Sequence, residues 1–475
     1  MPTIASWVVR GASTSLRGYD NTVRGYYIQN FGCRAAQADG AAIERQLTGL
    51  GLERVDSAER AEVVVLNTCT VTSAADQDAR AAIRHAHRES PHTKILVTGC
   101  YAQRAPKELI ALPGVTWVVG NSHKDQIGQI VAGTRSDGGF VPVANLSLGT
   151  EEPAGPGFVP RIYASDIFAH TVLEASPVFD GIERSRPNLK VQDGCDNRCS
   201  FCVIPFVRGQ SRSLPLDKVL LELEALERAG YREVVLSGIN LGRWGRDFVR
   251  QSRFVDLVHA VLAHSSIAKL RLSSIEPMDW TEELIDLLAS SPRIAKHAHI
   301  PLQSGSDRIL RKMHRKYRPW HYAEKVERIR SLLPYAAIGA DVMVGFPGET
   351  DELFEESLRF IEQMPFTYLH VFTYSPRPGT PAAEMESQVA LSVARQRNRI
   401  LRNLSAEKNL KFRSALLGSE IEAITLQKTS ADATAGLSDN YIKLEVYGHH
   451  PANTLLKVRA LSVSQTGLAV EPCGA

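Results

Sequence analysis

Three apolar runs near the start of the chain each end in a cysteine, and this repeat limits the possible fold more than any other feature. Tyr26–Phe31 closes on Gly32-Cys33, Glu62–Leu66 on Asn67-Thr68-Cys69, and Lys94–Val97 on Thr98-Gly99-Cys100. The stretches between them, Ala41–Leu50 and Ala74–His87, read as helices. Successive cysteines are roughly 30 or more residues apart, the length of one βαβ unit. In a parallel sheet all strands point the same way. Each cysteine then falls just past the carboxyl end of a strand, on the edge where open α/β sheets bind ligands. Three thiols remote in sequence are thereby expected to be neighbours in space.

Residues 137–186 lose this order; Asp137-Gly138-Gly139 and Glu152-Pro153-Ala154-Gly155-Pro156-Gly157 mark a linker that packs on its neighbours. From residue 187 a second alternation begins. Its candidate strands are Leu189–Gln192, Glu233–Leu236, Lys269–Leu272, His297–Leu302, Ala340–Val344 and Tyr368–Phe372, with helices between them. Six such units predict a partial parallel (β/α)6 barrel. Gln396–Arg413 reads as a basic helix. After Gly418 the apolar period becomes two, with Ile442, Leu444 and Val446 and then Leu456, Val458 and Ala460 alternating with charges. That pattern predicts a small antiparallel β-barrel. The fold class is therefore α/β, divided as a loose leader at 1–24, an α/β domain at 25–136, the linker, a barrel at 187–413 and the small β-domain at 414–475.

Composition excludes several classes. Lys+Arg number 55 against 52 Asp+Glu, so the chain is no polyelectrolyte, although local patches still decide nucleic-acid binding. No apolar run approaches the roughly 18 residues of a membrane span. Seven cysteines are too few for a disulfide scaffold of 475 residues. Six thiols at chosen places, with Cys473 incidental, fit a reducing cytoplasm.

The strongest local signal is Asp193-Gly194-Cys195-Asp196-Asn197-Arg198-Cys199-Ser200-Phe201-Cys202. Thiolates suit zinc or iron–sulfur clusters. A structural zinc site wants four ligands, commonly as two Cys-x2-Cys pairs. Three thiolates in one loop instead leave one iron of a four-iron cluster open. S-adenosylmethionine offers an amine and carboxylate that can chelate such an iron, and a reduced cluster can then break its S–C5′ bond to give a 5′-deoxyadenosyl radical. Phe201 fits a flat wall beside the adenine. A zinc knuckle or a set of redox thiols is the competing interpretation of the same loop.

With these motifs the chain resembles the radical-SAM superfamily, and within it the methylthiotransferases, from about residue 25 onward. The resemblance implies that Cys33, Cys69 and Cys100 hold a second [4Fe-4S] cluster beside the one on Cys195, Cys199 and Cys202. It also implies that the last 60 residues form a TRAM domain, a small RNA-binding barrel. Asn67–Thr72 (NTCTVT), Thr98–Gln103 (TGCYAQ) and Arg208–Ser213 (RGQSRS) look like the branch that acts at C2 of N6-threonylcarbamoyladenosine in tRNA; related branches act on isopentenyladenosine or on a ribosomal-protein aspartate. One departure is Cys33-Arg34-Ala35-Ala36-Gln37, where the family usually carries Asn before the Gln. The implied partners are a tRNA anticodon stem-loop and an electron donor such as flavodoxin or ferredoxin.

Further candidates follow strands on the barrel's carboxyl face, where ligand contacts concentrate. Gly238, Asn240, Ser274, Glu276, Gln303 and Asp341, with Phe201, are expected to touch the cofactor. Ser306 before Asp307 reads equally well as a helix N-cap. His297 and His299 share one face of a strand, more in keeping with barrel-interior histidines than a metal pair. Gly345–Thr350 lacks the lysine of a phosphate-binding loop. Arg208, Arg212, Arg311 and Lys312, with the 397–413 run, are expected to form a track for tRNA phosphates.

Overall fold

The computed structural model describes residues 25–133, 160–173, 186–430 and 432–473. The proposed leader and most of the linker lie outside the described residues.

The first region is a six-stranded sheet in the order Glu53–Arg54, Gly25–Asn30, Val63–Thr68, Lys94–Gly99, Val115–Val119, Arg161–Tyr163, parallel throughout. Every residue of Val63–Thr68 is buried, as a strand covered on both faces requires. Its alternate side chains divide between two cores. Val64 and Leu66 pack with Ala79 and Ile83 on one face, and Val63 and Val65 pack with Ile43 and Leu47 on the other. The first helix runs Arg34–Thr48, starting well before the expected Ala41. Gly40 looks like a break in the sequence. It is instead the point where the helix presses on the strand, since a Cβ there would lie 2.0 Å from Asn30 Oδ1. The linker is less idle than its composition implies, because Arg161–Tyr163 becomes the sixth strand.

All six strands expected after residue 187 are present, in two three-stranded parallel sheets. One holds Lys269–Leu272, Glu233–Ser237 and Asn188–Lys190; the other holds His297–His299, Ala337–Val344 and Tyr368–Thr373. A parallel bridge between Leu270 and Ile294 joins them, and one apolar core runs through both. The long helix Leu391–Ser414 lies along the last strand, where Ser405 Oγ accepts from Leu369 N at 2.8 Å. The outer edge strands, Asn188–Lys190 and Tyr368–Thr373, do not pair with each other.

The amino-terminal domain reaches both of those edges. Asn188 Nδ2 donates to Gln37 Oε1 at 3.3 Å on one side. On the other, Ser73 and Ser375 hydroxyls meet at 2.7 Å and Arg377 is paired with Asp76. The last region is a closed five-stranded barrel with Ile442, Leu444, Val446, Val458 and Ala460 inside. It departs from the expected antiparallel arrangement in one place, closing through the parallel pair Lys443–Tyr447 and Leu468–Pro472.

Candidate active site

The parallel register sets the first three cysteines. Thr68 is the partner of Gly99, so Cys69 and Cys100 leave adjacent strand ends. Cys33 follows the neighbouring strand, next to the point where the strand order reverses. Gly32 makes the close approach possible: its φ is +95°, and a Cβ there would sit 2.8 Å from Cys69 Cβ. The second trio follows the first strand of the barrel in one loop, and the short helix Ile204–Arg208 continues from it. Val207 of that helix and Val203 just before it pack against Cys100. Asn121 spans the junction, donating to Val207 O at 2.8 Å and lying 3.6 Å from Cys100 Sγ.

Cys33, Cys195, Cys199 and Cys202 line one cavity of about 520 Å³ at this junction. Phe201, Gly238, Asn240, Ser274, Glu276, Gln303 and Asp341 all line it too, together with His297 and His299. Cys69 and Cys100 are buried and do not line the cavity.

All seven cysteines are free. Burial pushes the Cys69 and Cys202 thiols up to about 12 and that of Cys195 up to about 11, with neighbouring thiols adding to the effect. Such thiols become thiolates only against a compensating positive body. N–H donors already point at the sulfurs: Arg315 NH1 lies 3.2 Å from Cys199 Sγ, and Asn240 Nδ2 lies 3.5 Å from Cys195 Sγ. Arg315 is itself buried and paired with Glu276, which outweighs burial and keeps the guanidinium charged. Soft sulfur donors with N–H groups around them fit an iron–sulfur cluster. Among the described residues no group of three His, Cys, Asp or Glu could hold a single metal ion.

Phe201 stands edge-on to Phe346, with centroids 6.5 Å apart, which fixes its ring as a wall. His297 is buried and kept neutral, primarily by desolvation, and its Nε2 lies 2.7 Å from Tyr368 Oη. His299 lies 3.4 Å from Asp341. Ser306 does precede the helix, but its hydroxyl donates to Glu356 at 2.7 Å instead of capping it.

The expected phosphate track is corrected in part. Arg208 is buried in a network across the domain junction, with NH2 2.8 Å from Asp39 Oδ2 and NH1 2.9 Å from Asp193 Oδ1. Lys124 and Lys190 complete that network. Arg212 is buried as well and donates to Arg208 O. Arg397 and Arg413 also face inward, to Glu349 and Asp351 and to the Ser464 and Gly467 carbonyls. A buried charge needs partners (Asp39 and Asp193 supply them here), so these arginines serve the fold. Arg311 is exposed, paired with Asp307, and Lys312 is half-buried beside Gly348.

Sequence reasoning missed Tyr368, His370, Phe372 and Tyr441 in the cavity wall. The first three alternate along one strand, so a period-two reading would have found them. Tyr441 sits in the turn between two strands of the small barrel and gives no local signal. Its ring stacks on His297 with centroids 4.4 Å apart.

The Radical SAM superfamily matches residues 189–361, and a family described as uncharacterized protein family UPF0004 matches residues 25–120. The threonylcarbamoyladenosine tRNA methylthiotransferase MtaB of Bacillus subtilis (strain 168) is 37% identical over 422 residues, 88% of this chain and 89% of its own length. Its namesake from Aquifex aeolicus (strain VF5) is 34% identical, over 90% of this chain and 98% of its own. The chain belongs to the radical-SAM methylthiotransferase family. A tRNA-2-methylthio-N(6)-dimethylallyladenosine synthase of Syntrophobacter fumaroxidans is 33% identical over 84% of each chain. The radical S-adenosylmethionine methyltransferase TsrM of Kitasatospora setae shares the fold, with a TM-score of 0.54 at 17% identity over 76% of this chain and 75% of its own. As a member of this family the protein is a tRNA methylthiotransferase, and the family implies S-adenosylmethionine and [4Fe-4S] as its cofactors. The amino-terminal sheet and the closed terminal barrel are the two parts added to its radical-SAM core. Among the described residues no helix is long and apolar enough to cross a membrane.

Proposed function

We propose that the protein adds a methylthio group to C2 of N6-threonylcarbamoyladenosine at position 37 of tRNA, using one [4Fe-4S] cluster on Cys195, Cys199 and Cys202 and a second on Cys33, Cys69 and Cys100. The observation that carries this reading is the shared cavity, which has Cys33 of one trio and all three thiols of the other in its wall. C2–H of adenine is neither acidic nor a good electrophilic centre, so removing it calls for radical chemistry. When bound, S-adenosylmethionine and the clusters supply that radical and a methylated sulfur.

The chain's own residues do the positioning. Arg315 and Asn240 donate to Cys199 and Cys195 and fix those thiolates. Phe201, Gly238, Asn240, Ser274, Glu276, Gln303 and Asp341 surround the cofactor. Val203 and Val207 pack against Cys100 and make the inner side of the junction apolar. The base enters flipped out, as exposed anticodon-loop bases can. Arg311 and Lys312 remain the proposed phosphate contacts. A flavodoxin or ferredoxin supplies the electron, and the setting is the cytoplasm.

Mass spectrometry of tRNA nucleosides from a strain lacking the gene tests the substrate. Loss of the methylthio form of threonylcarbamoyladenosine supports the reading, and loss of the isopentenyladenosine form instead moves the protein to the other branch.

A further inference from the structure

Arg34 follows Cys33 at the start of the helix Arg34–Thr48 and lines the cavity. Its recorded polar partner is a hydroxyl: NH2 donates to Tyr441 Oη at 3.1 Å, and the guanidinium lies 5.8 Å from the centroid of that ring. Among the described residues it has no carboxylate partner. The other arginine in the wall, Arg315, is committed to Glu276 and Cys199. Of the cavity histidines, His297 and His370 are both held toward the neutral form by burial. Of the wall's two carboxylates, Glu276 is neutralised by Arg315 and Asp341 faces His299. One uncompensated, half-buried cation therefore faces the space where a base would enter.

Tyr441 aims it. The tyrosine has φ +66°, and the turn is closed by Tyr441 N to Ser438 O at 3.0 Å and Ile442 N to Ser438 Oγ at 2.7 Å. Asp439 and Asn440 of the same turn are tied to the radical-SAM core, accepting from Lys296 N at 2.9 Å and donating to Tyr335 O at 3.0 Å. Stacking on His297 completes the seat. The hydroxyl takes one guanidinium N–H and leaves the remaining fork free for a planar anion.

We propose that Arg34, oriented by Tyr441, receives the carboxylate of the substrate's N6 side chain and so selects threonylcarbamoyladenosine over isopentenyladenosine. This rests on the substrate reading above. The two substrates share adenine and differ in the side chain, one ending in a carboxylate and the other in hydrocarbon. A guanidinium fork pairs with the first and is left desolvated and unpaired by the second, which is the stronger basis for discrimination.

The test uses the full-length, cluster-loaded protein and synthetic anticodon stem-loops carrying threonylcarbamoyladenosine, its carboxyl methyl ester or isopentenyladenosine. Dissociation constants are read by fluorescence anisotropy. The wild type is expected to prefer the free acid over the ester by about tenfold to a hundredfold, as for a charge-assisted hydrogen bond. Arg34→Gln should reduce that ratio to about twofold or less, with Arg34→Lys between. Wild-type protein that binds acid and ester equally overturns the proposal even if Arg34→Gln fails to fold. An undiminished preference in folded Arg34→Gln overturns it too. Wild-type protein that methylthiolates only the isopentenyladenosine stem-loop overturns the substrate reading itself, a result distinct from either.

Discussion

Asp39 and Arg208 lie in different domains and share a buried ion pair, Oδ2 to NH2 at 2.8 Å, behind the loop that carries Cys195, Cys199 and Cys202. Asp193, two residues before Cys195, closes the same network from the barrel side. The junction that brings the two thiol trios together is thus fastened by charges. Removing one partner of such a set strands the others. Asp39→Asn should destabilise the protein by about 3–5 kcal/mol. Chemical denaturation followed by tryptophan fluorescence checks this, and a change near zero would mean the network contributes nothing to docking.

The same carboxyls set an acid limit. Burial by itself would raise both, but Lys124, Lys190 and Arg208 outweigh it and hold Asp39 and Asp193 below their ordinary value of 3.8. Their contribution is complete above that value and fades as pH falls through the lowered folded values. His297, held neutral by burial, adds a loss that begins earlier, as pH drops below its ordinary 6.5. Stability measured against pH should therefore decline in two stages, and His297→Gln should shrink the upper one, leaving the share of His370 and His123, which burial also holds toward the neutral form.

Arg315 donates to Cys199 Sγ at 3.2 Å while paired with Glu276. Hydrogen bonds and positive charge at a thiolate raise the reduction potential of a cluster it holds. Arg315→Met should lower that potential with iron content retained. Potentiometric titration monitored by electron paramagnetic resonance gives the comparison; an unchanged potential counts against the role.

The two trios should separate by chemistry. Alanine at Cys195, Cys199 and Cys202 should abolish formation of 5′-deoxyadenosine. Alanine at Cys33, Cys69 and Cys100 should leave some cofactor cleavage but stop thiolation. Anaerobically prepared wild type should hold about eight iron atoms and each triple variant about four. Full methylthiolation by the second variant would refute the division of labour.

Gly32 offers a gentler cut. A side chain there must adopt φ +95° and crowd Cys69. Gly32→Ala should cost about 1–2 kcal/mol from the backbone alone and lower iron content toward that of the second triple variant. Retained iron would show that the loop can move aside.

Much of this was legible in the chain. The cysteines close apolar runs, and the common direction of strands in a parallel sheet then dictates a common edge. The residues after Glu233–Ser237, Lys269–Leu272 and the following strands could be nominated because a barrel gathers its strand ends. The start of the first helix was obscured by Gly40, whose reason is contact with Asn30 and not a break.

Sequence by itself determined the three cysteine-bearing strands and the six of the barrel, the edge on which the thiols emerge, and the change to a period of two in the last region, because those follow from periodicities that are local. The edge strands Glu53–Arg54 and Arg161–Tyr163, too short to show a period, came only from the structure. Only the tertiary structure decided that Arg208 and Arg212 are enclosed while Arg311 is exposed, and that Tyr441 travels from the last barrel to meet Arg34. Burial of a charge depends on what covers it, and contact between elements hundreds of residues apart leaves no period in either.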